Sequence, residues 1–320
     1  MSQRPVVVVT ELLSECASAW LLERCRETHC EVLKARPCEP AFAEVADRIV
    51  GLIVRTYTTV DEKLLRCLPN LKVVGRGGVG LDNIDVEACR ARGVVVVSTP
   101  DANTQAVVEF VLCCLCDALR PRAPLERALT KEEWHQVRDE ELVGLWQMNE
   151  LTLGILGLGR IGRRVAEVAR AIGFEVIFHD IRGITDEERN GAEPVDLDTL
   201  FGESDIVTVH VDGRASNRHF VDARLMALMK PDAILINTSR GFVLDHEALA
   251  NWLKAHPAAA ALLDVHDPEP IPTTNPLLGL DNAHLTPHLA SRTLTAMDNM
   301  SWVVKDVMAV IEGKTPKWPA

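Results

Sequence analysis

Along the first hundred residues, short apolar runs alternate with longer mixed segments. Residues 6–9, 49–54, 71–74 and 94–97 are dominated by β-branched side chains with almost no polar interruption, the composition of strands buried on both faces. Between them, residues 11–27, 61–67 and 85–92 mix apolar and charged positions in a helical manner. The alternation predicts a parallel sheet covered by helices. A polar stretch at 98–103 then leads into an apolar helix running to about Leu119, followed by a charged segment, 121–150, rich in Glu, Arg and Trp. From Leu151 the strand and helix alternation resumes. Strands are expected at 153–156, 176–178, 206–211, 233–237, 260–265 and 283–286, about six, as a full dinucleotide-binding fold requires. The last apolar segment, 293–312, reads as one helix returning to the first unit.

One of these strands ends in a distinctive turn. The run Leu153-Gly154-Ile155-Leu156-Gly157-Leu158-Gly159-Arg160-Ile161-Gly162 breaks into G-x-G-x-x-G where a helical pattern (Val165, Val168, Ala169, Ile172) begins. Gly157 suits the tight turn, Gly159 close approach of a pyrophosphate, and Gly162 close packing of helix on strand, with the helix N-terminus facing the phosphates. Arg160, Ile161 and, on a later strand end, Thr238 join the candidate cofactor-binding residues. The next apolar run closes on Asp180, eighteen residues past Gly162, where a ribose-binding carboxylate belongs. A carboxylate there favours NAD over NADP, and Arg182 nearby softens the preference. The competing reading is a structural glycine turn followed by a solvated aspartate.

Composition narrows the function classes. With 320 residues, 47% hydrophobic and 25% charged, the chain can bury a large core and is expected to form two domains. The net charge of −12 disfavours nucleic acid and anionic membrane as partners, so a small acidic substrate must be met by particular arginines. No apolar run reaches 18 residues and the N-terminal one is too short for a signal peptide, which makes the cytoplasm the expected location. All nine cysteines fall at or before Cys116 without a zinc-type His/Cys set, so neither metal nor disulfide is expected. Cys113, Cys114 and Cys116 read as small buried hydrophobes.

Three polar signals stand at strand ends in the second half: Asn237-Thr238-Ser239-Arg240-Gly241, Asp264-Val265-His266-Asp267-Pro268-Glu269-Pro270 and Thr286-Pro287-His288-Leu289-Ala290-Ser291. An arginine that forks onto a carboxylate, a histidine titrating near neutrality and a carboxylate to orient it suit hydride transfer at a 2-hydroxy or 2-keto acid. Structural roles for the same residues are the alternative.

These motifs, with Val73-Val74-Gly75-Arg76-Gly77-Gly78-Val79-Gly80-Leu81-Asp82-Asn83-Ile84-Asp85, make the chain resemble the D-isomer-specific 2-hydroxyacid dehydrogenases over nearly its whole length, above all the phosphoglycerate dehydrogenase branch. The resemblance implies an α/β fold of two doubly wound parallel-sheet domains. A Rossmann NAD-binding domain (100–289) would be inserted in a flavodoxin-like substrate domain (1–99, completed by 290–320). It implies that Arg240 binds the substrate carboxylate and carbonyl, that His288 is the general acid/base paired with Glu269, and that Asp264 lies near the nicotinamide. The backbone amides of Gly77, Gly78 and Val79 would receive the substrate carboxylate. Arg55 and Arg76 match positions near the substrate phosphate, although Arg55 could equally support the loop 56–58. Segment 121–150 matches the region through which relatives dimerise, so a homodimer is expected.

Departures from the pattern qualify what carries over. His210-Val211-Asp212-Gly213-Arg214-Ala215-Ser216 replaces the proline-containing stretch that usually follows the fourth strand's histidine, leaving cofactor contacts there open. Arg292 places a long cation after His288; it either binds a second anionic group of the substrate or faces solvent. No regulatory extension is expected past Ala320, and with it no serine feedback through one. The corepressors that share this fold retain the same three polar residues, so an NAD(H)-sensing binding protein is the alternative to an enzyme. Formate or phosphite oxidation fits less well, because similar formate dehydrogenases carry glutamine where Glu269 stands.

Overall fold

The computed structural model describes residues 4–120, 124–141 and 146–320; of the charged segment 121–150, residues 121–123 and 142–145 lie outside the described residues. The chain forms two compact units, Met1–Thr104 with Ser291–Ala320, and Gln105–Ala290.

The first unit is built on five parallel strands: β1 (Val6–Val9), β2 (Glu31–Lys34), β3 (Ile49–Val54), β4 (Val73–Arg76) and β5 (Val95–Val97). Their order, β2-β1-β3-β4-β5, is flavodoxin-like. The two central strands β1 and β3 are buried along their whole length because helices cover both faces. On one side Phe42, Leu65, Leu68 and Cys89 form the core. On the other, Leu21 and Cys25 meet Val303, Val304, Val307 and Met308 from the returning C-terminal segment. That segment packs so closely that a Cβ at Gly75 would lie 2.3 Å from Val307 Cγ2.

Two elements differ from the sequence expectation. Strand β2 was not anticipated, since its Glu-Val-Leu-Lys sequence carries only two apolar residues and these are only partly buried at the sheet edge. The segment 293–312 is two helices, Leu294–Ser301 and Val303–Ile311. At the break the Ser301 hydroxyl donates to the Met297 carbonyl (2.7 Å) and accepts the Ser14 amide (2.9 Å), the type of back-bonding that bends helices.

The second unit carries seven parallel strands, β6 (Thr152–Leu156), β7 (Glu175–His179), β8 (Glu193–Pro194), β9 (Ile206–Val209), β10 (Ile234–Asn237), β11 (Ala260–Leu263) and β12 (Ala283–Leu285). The order β12-β11-β10-β9-β6-β7-β8 is the Rossmann arrangement with a short extra edge strand. The strand order reverses between β6 and β9, so the ligand crevice of such a sheet opens at the carboxyl end of β6.

Helix Thr104–Leu119 buries Val107, Val108, Val111 and Leu115. Its cysteines correct the sequence reading: Cys113 is exposed, and Cys114 and Cys116 are half-buried. Likewise Ile172, expected on the buried stripe of its helix, is 41% exposed; Gly162, Val165, Ala166 and Ala169 make that stripe. Among the described residues no helix is long and apolar enough to cross a membrane, and no cluster of side chains could hold a metal.

Candidate active site

Strand β6 delivers Gly157 at its carboxyl end with φ 93°, in the left-handed region. A Cβ there would lie 2.9 Å from the carbonyl oxygen of His210, and one on Gly162 would lie 2.1 Å from that of Gly157. Both close approaches therefore need glycine. A Cβ on Gly159, by contrast, would meet nothing within 4 Å, leaving open space at the N-cap of helix Arg160–Ile172. Open space, a helix N-terminus and the buried, unpartnered hydroxyl of Thr238 at the end of β10 fit a dinucleotide pyrophosphate and its attached groups.

Asp180 follows β7, as the spacing predicts. Its carboxylate accepts the Leu158 amide (2.8 Å) and the Arg182 amide (2.9 Å), and the Arg182 guanidinium bridges both oxygens at 3.0 and 3.1 Å. Burial pushes the Asp180 carboxyl up, but these hydrogen bonds outweigh it and hold it below the usual range. The sequence placed Arg182 nearby without showing that it covers the carboxylate.

The unusual 210–216 loop is closed by its own contacts. Arg214 Nε reaches Asp212 at 2.7 Å, and Asn217 donates to the Asp212 carbonyl at 2.9 Å. His210 sits 2.9 Å from the Thr208 hydroxyl, and burial drives its imidazole far below the ordinary histidine range, so it is neutral.

The catalytic candidates lie on three loops after β10, β11 and β12. His288 Nδ1 is 2.9 Å from Glu269 Oε2, and the His266 amide donates to Glu269 Oε1 at 3.0 Å. Burial raises the Glu269 carboxyl, but the bond to His288 and the amide of His266 bring it below the usual range, so it is ionised at neutral pH. An ionised Glu269 fixes the hydrogen on Nδ1 and leaves Nε2 for proton exchange. His288 itself has φ 57°, an uncommon conformation for a non-glycine residue. Asp264, 1% exposed, holds this turn: it accepts the Thr286 hydroxyl (2.6 Å) and the amides of Leu289 and Ala290 (both 2.7 Å). Arg240 is anchored by its own backbone, its carbonyl accepting Asn237 Nδ2 at 2.9 Å and its Nη1 donating to the Ser239 carbonyl at 2.7 Å.

In the first unit the glycine loop after β4 is flanked by arginines. Arg76 Nη1 donates to the Gly77 carbonyl at 2.8 Å and lies where a side chain on Gly78 would stand. A Cβ on Gly77 would touch Arg55 Cγ at 3.3 Å. Arg55 is 8% exposed, and its guanidinium donates to Met297 Sδ (3.0 Å) and to the Leu12 carbonyl (3.3 Å). Burial and the neighbouring charge of exposed Arg292 lower its pKa, against the opposing pull of Glu11. Glu11, which the sequence reading missed, is what supports the loop 55–58: its carboxylate accepts the amides of Arg55, Thr56, Tyr57 and Thr58 at 2.9–3.2 Å. Its signal was a carboxylate two residues past the end of the buried strand β1. Thr99 was also missed; its amide donates to the Gly78 carbonyl (3.1 Å), while its hydroxyl is buried without a partner.

Residues 112–290, more than half of the chain, match the family model of the D-isomer specific 2-hydroxyacid dehydrogenase NAD binding domain. The chain belongs to the D-isomer-specific 2-hydroxyacid dehydrogenase family. It is 34% identical to a D-3-phosphoglycerate dehydrogenase of Archaeoglobus fulgidus over 96% of its own length, spanning 57% of that protein. With an (S)-sulfolactate dehydrogenase of Chromohalobacter salexigens it shares 34% identity, covering 94% of this chain and 96% of that one. The structure of a glyoxylate reductase from Paecilomyes thermophila superimposes with a TM-score of 0.83 at 26% identity, covering 100% and 99% of the two chains. The chain thus spans little more than half of the archaeal phosphoglycerate dehydrogenase. These 2-hydroxyacid dehydrogenase relatives carry enzyme names, and the corepressor reading draws no support from them.

Proposed function

We propose that the chain interconverts a 2-keto acid and its 2-hydroxy acid with NAD(H). The observation that carries this reading is the Glu269–His288 pair, 2.9 Å apart on the loops after β11 and β12 of an NAD-binding sheet. When bound, the nicotinamide supplies or accepts the hydride. Gly157, Gly159, Arg160, Ile161 and Gly162 present the turn and helix N-terminus to the pyrophosphate. Asp180 serves the adenosine ribose, and Thr238 and Asp264 serve the nicotinamide end, Asp264 while also holding the His288 turn. In the reducing direction Arg240 forks onto the substrate carboxylate and polarises the keto oxygen, drawing charge toward it. His288 donates the Nε2 proton to that oxygen, and Glu269 stabilises the imidazolium beforehand. In the other direction the same nitrogen removes the hydroxyl proton.

The amides of Gly77, Gly78 and Val79 are assigned the substrate carboxylate, with Arg76 over the loop. Arg55 and Arg292 are assigned a second anionic group. A buried guanidinium facing methionine sulfur, beside a second cation, supports that assignment, and both phosphoglycerate and sulfolactate carry such a group. Glyoxylate, hydroxypyruvate and 3-phosphohydroxypyruvate are the candidates to compare. A homodimer in the cytoplasm completes the reading, the dimer supported by the exposed Trp134 and Trp146 in the charged segment. A panel of 2-keto acids with NADH, read as kcat/KM, tests it. Turnover led by a doubly charged acid is the expected result, and no turnover on any member contradicts the enzyme reading.

A further inference from the structure

His266 lies between Asp264 and Glu269, yet nothing in the chemistry above uses its side chain. It is 8% exposed and touches all three catalytic loops. Its amide donates to Glu269 Oε1 at 3.0 Å. Its ring Nε2 lies 2.9 Å from the carbonyl oxygen of Thr286, two residues before His288. A carbonyl only accepts, so Nε2 carries a hydrogen, while Nδ1 is buried without a partner. On the third side is Gly241, the residue after Arg240. A Cβ there would fall 2.0 Å from the His266 carbonyl carbon and 2.2 Å from its oxygen, so the Arg240 loop rests directly on the His266 backbone.

We infer that His266 is a positioning residue that sets Arg240, Glu269 and His288 in register, through its backbone against Gly241, its amide on Glu269 and its ring on Thr286. The His288 turn then has two independent anchors, Asp264 on the amides of Leu289 and Ala290 and His266 on the Thr286 carbonyl. Of the two, only His266 also holds Glu269, so it fixes the distance between the members of the pair. An apolar ring of the same size keeps the amide bond and the packing against Gly241 but drops the bond to the Thr286 carbonyl, which is left with only its local bond from the His288 amide at 3.0 Å and so loses its tie to the β11 loop. The turn bearing His288 would then shift relative to Glu269.

This inference rests on the dehydrogenase reading for its catalytic consequence but not for its geometry. The test uses the NADH-bound full chain with His266→Phe and His266→Gln, the latter restoring an N–H donor at about the reach of Nε2. For His266→Phe the expectation is a kcat about 10- to 100-fold lower, the scale of a displacement near 1 Å, with NADH affinity unchanged. Its crystal structure should show Glu269 and His288 parted beyond hydrogen-bond distance, and His266→Gln should recover most of kcat. Wild-type kcat in His266→Phe, or a crystal structure with the pair still at 2.9 Å, overturns the inference. Equal loss of NADH binding and kcat in both variants also overturns it, since that marks a general structural role. Should the wild type turn over no keto acid, the dehydrogenase reading fails, and the pair distance in the His266→Phe crystal decides the inference alone.

Discussion

Arg182 lies across the carboxylate of Asp180, bridging both oxygens and also donating to the Leu158 carbonyl at 3.0 Å, so Asp180 is covered by a cation that remains half exposed. A ribose hydroxyl would have to share that carboxylate, whereas a 2′-phosphate would meet the guanidinium. Asp180→Ala should therefore narrow the preference for NADH over NADPH by about tenfold, and Arg182→Ala should widen it. Ratios of kcat/KM for the two cofactors check both. A preference that stays put in both variants assigns the discrimination to other residues.

Arg24 on helix Glu15–Glu27 binds Glu312 through Nε (2.5 Å) and Nη2 (2.6 Å), clamping the end of the C-terminal helix pair to that helix within the first unit, and Lys314 reaches the same carboxylate at 2.6 Å. The hydrogen bond from Arg24, then that from Lys314, lowers the Glu312 carboxyl from 4.5 to about 2. A depressed carboxylate contributes stability that is full above its unfolded value and is lost as pH falls through its folded one. The wild type should melt above Glu312→Gln at pH 7, and the gap should close between about pH 4.5 and 2. Thermal unfolding across that range reads it; a gap independent of pH would show that the ion pair contributes nothing.

Arg240 is proposed to bind carboxylate and polarise the carbonyl at once, a double duty that needs the planar fork. Arg240→Lys keeps the charge and loses the fork, so KM for the keto acid should rise and kcat should fall together. A rise in KM alone would reduce Arg240 to a binding residue.

Arg292, exposed beside buried Arg55, is assigned the second anionic group. Arg292→Ser should weaken a phosphorylated or dicarboxylic substrate by about 1.5–3 kcal/mol, the scale of a hydrogen bond to a charged partner, and leave glyoxylate nearly untouched. Equal losses on both substrates would mean that Arg292 supports Arg55 or the loop, and no loss on either would place it in solvent.

The sheet cores were legible because parallel strands buried on both faces leave uninterrupted runs such as 49–54 and 153–156. The G-x-G-x-x-G turn and Asp180 were legible because fixed backbone approaches demand glycine at fixed spacing. Edge strand β2 was not, since an edge with Val32 and Leu33 only partly buried writes little pattern into four residues. Pairwise contacts across loops were also out of reach. Nothing in the order of residues joins His266 to Thr286, or Glu11 to the four amides after β3, because such bonds depend on where separate strands end. The three cysteines near Leu115 show the converse, since an apolar neighbourhood in sequence did not mean burial.

The central claim is that His288, oriented by Glu269, exchanges the proton of the substrate oxygen. His288→Ala measures it most directly, with kcat on the preferred keto acid read beside NADH affinity by fluorescence titration. The account predicts a loss of about 10²–10⁴-fold in kcat with NADH binding retained, the usual size of a general acid/base contribution. Unchanged turnover in this variant would contradict it.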